Sequence, residues 1–518
     1  MEKNSLAHKT LKNASYSFMN YGWGLLFALF ITPIIVFKLG VDNYGVYIFV
    51  NILANVIGLV ELGVSTAVAK YVAEYYGAKQ EEKLRRLLYS ANSLFSVIGL
   101  IGLLAFVGVG YLGQYFISAD ALQVYNIQFL LFIAGLNFLV GAIGGIFPML
   151  PPALQRFDLS SKIGMAQLAA SSLGVLAAIM SGGGLIAVFL VQLSVTVVFV
   201  FIYYFYSHRL LPIARLSFFW DKAEIWHCYK FALVAFISNI SGQTLAYFDK
   251  LIIPIFINPA SLSYYSLAGS VASKSTGSLN SLTSVLFPAV SHLQGSDDQE
   301  SIKRLYVRSF RLTTILNAAI TLAISFFAYK IMQYWLDESF AIKASGVLMV
   351  LAATYFFVSL YSQLTNFLLG LGRTKILAAF SSSMAIINIV LLFIFLPRYG
   401  IMGAAWAYLI SLLPTIYIFY YIEKRLFNLE NRLAYYAKLF FKIILTGIVF
   451  YFLCTVLISP LIVGFKTLML FGPLAVLLYL VLYRVFGFYD RADLKTLKDF
   501  WFLVLEKLSR KKYAEKAS

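Results

Sequence analysis

Lys274 sits in a run where Ser266, Ser270, Ser273, Gly277, Asn280, Ser281 and Ser284 recur every three or four residues. That spacing gathers side chains on one face of a helix. An ammonium in such a stripe can hold an anion, and the hydroxyls and amides around it can donate to and accept from a polar ligand. Small residues at this spacing also let helices pack closely, but packing alone does not place a lysine there. Asn20, Asn239, Gln243, Gln363 and Asn366 add carboxamides inside other apolar stretches. So many suggest a polyhydroxylated ligand; taken singly, each fits interhelical hydrogen bonding equally well.

Asp249, Lys250 and Glu61 stand out beside Lys274 as ionisable groups inside apolar stretches. Such groups cost about 2.5–3.5 kcal/mol at a bilayer centre and usually face a partner or an aqueous cavity. Neighbours on a helix point about 100° apart, so Asp249 and Lys250 make a poor mutual pair. Lys250 can snorkel to the near surface. Asp249 can face a cavity, anchor Lys274, or bind a proton or sodium ion. Glu61 is a second candidate for ion coupling or for a purely structural charge.

Other chemistries lack their residues. His8, His208, His227 and His292 form no HExxH, the two cysteines, Cys228 and Cys454, form no CxxC, and there is no GxxxxGK[ST] loop. A metal site, a disulfide framework, an ATPase core and a bound cofactor are therefore not expected.

The elements that must position these groups are membrane helices. Apolar residues make up 61% of the 518 and charged ones 12%, against about a quarter charged in soluble proteins. A hydrocarbon core of about 30 Å needs about 20 apolar residues per helix. Fourteen stretches qualify, near 14–37, 43–66, 87–112, 124–149, 160–181, 184–206, 229–256, 260–291, 308–334, 342–369, 376–397, 400–422, 434–462 and 465–487. The expected class is thus an all-α integral membrane protein.

The formal charge of +18 does not point to nucleic acid, because the basic residues are dispersed. Of the 41 Lys and Arg, 34 fall in alternate gaps between the stretches. The positive-inside rule then puts both termini in the cytoplasm. The first stretch reads as a retained span, not a signal peptide. The opposite gaps are short and leave no room for a folded catalytic domain.

Three short similarities recur at a nearly constant offset. Gly45-Val46-Tyr47 matches Ser263-Tyr264-Tyr265, Gln155-Arg156 with Ser161-Lys162-Ile163 matches Gly372-Arg373-Thr374-Lys375-Ile376, and Gly184-Leu185-Ile186-Ala187 matches Gly400-Ile401-Met402-Gly403. They predict two six-helix lobes, 14–206 and 229–422, related by an axis along the membrane normal. A cytoplasmic N-terminus (1–13), an inter-lobe linker (207–228), two appended spans (434–487) and a tail (488–518) complete the expected organisation. In the tail Leu494, Leu497, Trp501, Val504, Leu505 and Leu508 lie beside Lys495, Lys498, Lys507 and Arg510. That reads as an amphipathic helix on the inner leaflet or against the bundle's inner mouth.

The stretches Lys38-Leu39-Gly40-Val41-Asp42-Asn43-Tyr44-Gly45-Val46-Tyr47, Glu61-Leu62-Gly63 with Lys70-Tyr71-Val72, and Phe248-Asp249-Lys250-Leu251-Ile252-Ile253 before Tyr264-Tyr265-Ser266-Leu267-Ala268 resemble the Wzx-type polysaccharide-export flippases. That superfamily also holds multidrug and toxin extruders and lipid II flippases. The resemblance implies a bacterial cytoplasmic membrane location, alternating access, and a polyprenyl-diphosphate-linked oligosaccharide as substrate. It also implies contact with glycan assembly proteins and no enzymatic step. Lys274, helped by Lys250, would attract the diphosphate, while Ser270, Asn280, Asn239, Gln243, Asn20, Gln363 and Asn366 would bond the sugars. Two rivals stand beside this reading: a multidrug/cation antiporter of the same superfamily, and a membrane glycan polymerase or ligase.

Overall fold

A computed structural model describes residues 24, 28–112, 127–283, 286–295, 298–428 and 432–489. The N-terminal segment 1–13, Asn20, most of the first stretch, the loop around Gly113 to Gln123 and the tail from 490 lie outside the described residues. All regular structure among the described residues is helical.

The chain runs through α1 (Ala28–Leu39), α2 (Val41–Ile57), α3 (Leu59–Gly77), α4 (Glu81–Leu112), α5 (Ile127–Ile143), the short α6 (Leu150–Ala153), α7 (Phe157–Met180), α8 (Gly184–Leu210) and α9 (Lys222–Phe256). It continues with α10 (Pro259–Thr283), α11 (Leu286–Gly295), α12 (Gln299–Phe326), α13 (Ala328–Trp335), α14 (Glu338–Gly370), α15 (Thr374–Ser411), α16 (Pro414–Tyr420), α17 (Arg432–Leu453) and α18 (Phe465–Val485). Among the described residues, eight helices are long and apolar enough to cross a membrane, or up to ten when each bent pair counts as one span. The chain is a multi-pass membrane protein.

Several expected spans are interrupted. The second breaks at Gly58, where the Glu61 N–H bonds the Gly58 carbonyl at 3.0 Å. The fourth stops at Ile143 and resumes at Phe147 with a 51° bend. The ninth breaks at Phe327, and α1 meets α2 at 120° around Gly40, whose φ of 82° favours glycine. Helix α10 is long enough to cross, at 25 residues and about 1.5 Å each. Its Ser and Lys residues keep it out of the apolar set.

Two of the three similar stretches share a left-handed backbone position. Gly184 and Gly400 have φ of 62° and 59°, and Gln155 and Gly372 have φ of 58° and 70°. Arg156 and Arg373 follow the latter two as the caps of α7 and α15.

Internal contacts divide the chain into two compact units, Met1–Ser266 with Leu392–Ile401, and Leu267–Leu391 with Met402–Ser518. In the first, α4 packs along α5, α3 along α9, and α7 along α8. Its core includes Leu87, Leu88, Phe95, Phe147 and Leu150. In the second, α14 packs beside α11, α12 and α13. There Phe310, Ile315, Phe450, Leu468 and Tyr479 join α12, α17 and α18 in one apolar cluster. Asp298 caps α12, accepting from the Ser301 N–H at 3.0 Å. Hydrogen bonding from Ser301 holds its carboxyl below the usual range.

Candidate functional site

Helix α10 is polar at its most accessible positions, while its buried positions mix apolar residues with Ser263, Ser275, Thr276 and Thr283. Leu262, Leu267, Ala268, Ala272 and Leu279 are buried, while Lys274 and Asn280 are exposed and Ser270, Ser273 and Gly277 are half-buried. A helix turned toward acyl chains needs the reverse arrangement. The accessible face of α10 is therefore suited to water or a polar ligand. Its hydroxyls also bond within the helix: Ser270 Oγ donates to the Leu267 carbonyl at 2.8 Å and Ser273 Oγ to the Ser270 carbonyl at 2.9 Å. Each keeps its lone pairs for a further partner.

Two bonds tie α10 to α14. Thr276 Oγ1 donates to the Tyr355 carbonyl at 3.0 Å, and Ser362 Oγ donates to Asn280 Oδ1 at 3.0 Å. Asn280 and Ser362 thus carry the polar face of α10 across to α14. Asn366, one turn beyond Ser362, is half-buried.

Gln363 points elsewhere. It is buried, accepts from Thr313 Oγ1 at 2.5 Å, and donates to Ser309 Oγ at 2.9 Å. Both ends of its amide are engaged by α12, which makes it an interhelical fastener. Gln243 on α9 is half-buried. The side chain of Asn239 and the whole of Asn20 lie outside the described residues, as does the side chain of Ser281.

Asp249 is 2% exposed. Its Oδ2 accepts from the Tyr265 hydroxyl and its Oδ1 from the Lys250 N–H at 2.7 Å, so the carboxylate ties α9 to the start of α10. Lys250 turns back along its own helix, where Nζ donates to the Ala246 carbonyl at 2.8 Å and lies 5.5 Å from the Tyr247 ring centre. Replacing Tyr265 by Phe leaves a buried carboxylate oxygen short of a donor. That loss is expected to cost about 1–3 kcal/mol, read as a lower melting temperature in detergent, while Tyr264→Phe serves as the neighbouring control.

Glu61 lies in the first turn of α3, beside the break that ends α5. A Cβ placed on Gly145 would stand 3.0 Å from Glu61 Oε1 and 3.3 Å from Phe95 Cδ1. The carboxylate thus sits against interrupted backbone, a setting in which membrane proteins expose peptide groups to ions or water.

The first turns of α2 and α10 are pressed together. A Cβ on Gly45 would stand 1.9 Å from the Pro259 carbonyl oxygen, and Ser263 Oγ donates to the Val41 carbonyl at 2.6 Å. Gly45 is there because no side chain fits.

Sequence reasoning passed over three polar groups. Asn388 on α15 is 1% exposed, and neither end of its amide has a hydrogen-bond partner among the described residues. It stands alone in the apolar run Met384 to Leu396, which was its signal. Glu423 is buried and accepts from the hydroxyls of Tyr306, at 3.3 Å, and Tyr436. Lys424 and Arg425 beside it make it look like a solvated loop charge. Tyr265, the donor to Asp249, looks like any aromatic of a membrane belt.

Known proteins share this fold and parts of this sequence. The lipid II flippase MurJ in its inward closed conformation superimposes with a TM-score of 0.69 at 16% identity, over 92% of this chain and 98% of that one. A putative O-antigen transporter of Shigella flexneri is 22% identical over 190 residues, 37% of this chain and 45% of its own length. The probable flippase AglR of Haloferax volcanii is 21% identical over 393 residues, 74% of this chain and 76% of its own. The match to the Shigella protein spans less than half of that relative. Residues 39–345, which carry the α2 and α10 first turns, Glu61, Asp249 and the polar face of α10, match the family described as polysaccharide biosynthesis protein. With more than half of the chain inside that match, the protein belongs to the polysaccharide biosynthesis protein family.

Proposed function

We propose that the chain is a flippase that moves a polyprenyl-diphosphate-linked oligosaccharide from the inner to the outer leaflet of the bacterial cytoplasmic membrane. The observation that carries this reading is the polar, accessible face of α10 with Lys274 in it. A charged glycan head loses many kcal/mol of hydration in hydrocarbon and needs such a face, whereas the polyprenyl tail is at home in lipid. Lys274 binds the diphosphate by charge, and Ser270, Ser273 and Asn280 bond the sugars. The names of the relatives support the same substrate class.

Transport proceeds by alternating access between two repeats, a scheme supported by the paired backbone conformations at Gln155/Gly372 and Gly184/Gly400. The Gly45–Pro259 contact lies within the first compact unit, between the first turns of α2 and α10, on the outer side if the basic gaps face the cytoplasm, and we take separation of those turns as part of the cycle. A carrier moves net cargo only where the two leaflets or a coupled ion bias the cycle. Asp249 and Glu61 are the groups that would carry a proton or sodium ion, and no bond of the cargo is made or broken.

The test is reconstitution into vesicles containing a fluorescent polyprenyl-diphosphate oligosaccharide, with an impermeant reductant reporting the exposed leaflet. Protein-dependent loss of the protected half is expected, and collapsing proton and sodium gradients reports the coupling. Failure to move this lipid, together with export of amphipathic cations, would replace the reading with a multidrug antiporter.

A further inference from the structure

The segment between α8 and α9 is built as a strap whose backbone is fastened inward and whose aromatic side chains are turned out. Asn92 Nδ2 donates to the Arg215 carbonyl at 3.3 Å, Ser93 Oγ donates to the Phe219 carbonyl at 3.0 Å, and the Asp221 N–H donates to Ser90 Oγ at 3.2 Å. Leu211 and Ala214 are buried in the core of the first unit. Phe218, Phe219 and Trp220 in this segment, and Trp226 near the start of α9, are 50–61% exposed.

The depth of this strap follows from the helix it lies on. Helix α4 has 32 residues, about 48 Å at 1.5 Å each, against a hydrocarbon core of about 30 Å. One end must protrude, and its charges, Glu81, Glu82, Lys83, Arg85 and Arg86, are all in the first two turns. From Val97 onward the exposed residues of α4 are apolar, including Leu100, Ile101 and Leu104. Ser90, Asn92 and Ser93 fall between these zones, at the level where the helix enters lipid. The exposed aromatics of the strap continue the lipid-facing surface at the depth where Trp and Tyr concentrate in membrane proteins, and Arg215 and Lys222 flank them within reach of lipid phosphates.

We infer that residues 211–226 form an interfacial anchor, with Phe218, Phe219, Trp220 and Trp226 seated in the headgroup region of the leaflet on the basic side. The occupant of this surface is bilayer lipid. The anchor fixes the depth of the only covalent link between α8 and α9, so movement of either helix is referred to the membrane surface. This inference does not depend on what the protein carries.

The experiment places a nitroxide on Phe218→Cys in the full-length chain, with Cys228→Ser and Cys454→Ala, in vesicles of phosphatidylethanolamine and phosphatidylglycerol. Collision rates with oxygen and with a water-soluble nickel chelate are compared with Lys83→Cys, a water reference, and Ile101→Cys, a lipid reference. The expected oxygen-to-nickel ratio lies between the references and several-fold above that at Lys83. A ratio equal to that at Lys83 means a solvated loop, and low collision with both reagents means a protein cover. Either result overturns the inference. Phe219→Cys repeats the measurement if the first variant does not fold.

Discussion

Replacing Lys274 by Ala is expected to reduce transport of the lipid-linked glycan about ten- to a hundredfold. A charge-assisted bond to a phosphoryl oxygen contributes roughly 1.5–3 kcal/mol, and each 1.4 kcal/mol is about a factor of ten. Lys274 is exposed on α10, so folding and insertion should survive. Lys274→Arg keeps the charge and should retain most of the rate. Lys250→Ala removes an ammonium that already bonds its own helix and should be milder. The readout is initial rate in vesicles at matched protein, with melting temperature in detergent as the control. An unimpaired Lys274→Ala variant would remove this residue from the head-group site.

Gly45→Val is expected to disfavour the conformation described here by about 1–3 kcal/mol, the usual cost of forcing a methyl or more into a filled space. The clash is with backbone, 1.9 Å from the Pro259 carbonyl oxygen and 2.4 Å from its carbon, so no side-chain rotation relieves it. The α2 and α10 first turns should separate, making Ser263→Cys, at a position buried here, react faster with an impermeant thiol reagent added from that side. Roughly a five- to a hundredfold rate increase is expected from the same energy. A Ser263→Cys rate unchanged by Gly45→Val in a folded protein would show that this contact is not part of the transport cycle.

The apolar helices were legible because lipid demands long unbroken apolar runs, and α14 and α18 lie within a few residues of their expected ends. The interruptions at Gly58, Gly144–Gly145 and Phe327 were not, since glycine and phenylalanine are ordinary inside membrane helices. At Gly145 the neighbours are distant in the chain: Glu61 and Phe95 approach it from α3 and α4. The stripe on α10 was legible because periodicity survives folding.

The role of Gln363 was not, because its partners Ser309 and Thr313 are more than 50 residues away in the chain or close to it. Sequence alone offers the same carboxamide for a ligand or for a neighbour. Asp249 shows the same limit from the other side. Its charge was conspicuous, but its bond to Tyr265 is a tertiary fact, and it makes this acid a tie between α9 and α10 as well.

A flippase of this kind requires the accessible face of α10 to meet water rather than acyl chains. Single cysteines at Ser270, Ser273, Lys274 and Asn280, and at Leu267, Ala272 and Leu279, introduced with Cys228→Ser and Cys454→Ala, can be titrated with a charged, membrane-impermeant thiol reagent in sealed and opened vesicles. Rapid modification is expected at the first four positions and protection at the last three, with the glycan lipid slowing the reaction at position 274. Protection of all seven from the charged reagent, with the first four open to a lipid-soluble maleimide, would turn that face toward the bilayer and remove α10 as the path of the glycan head.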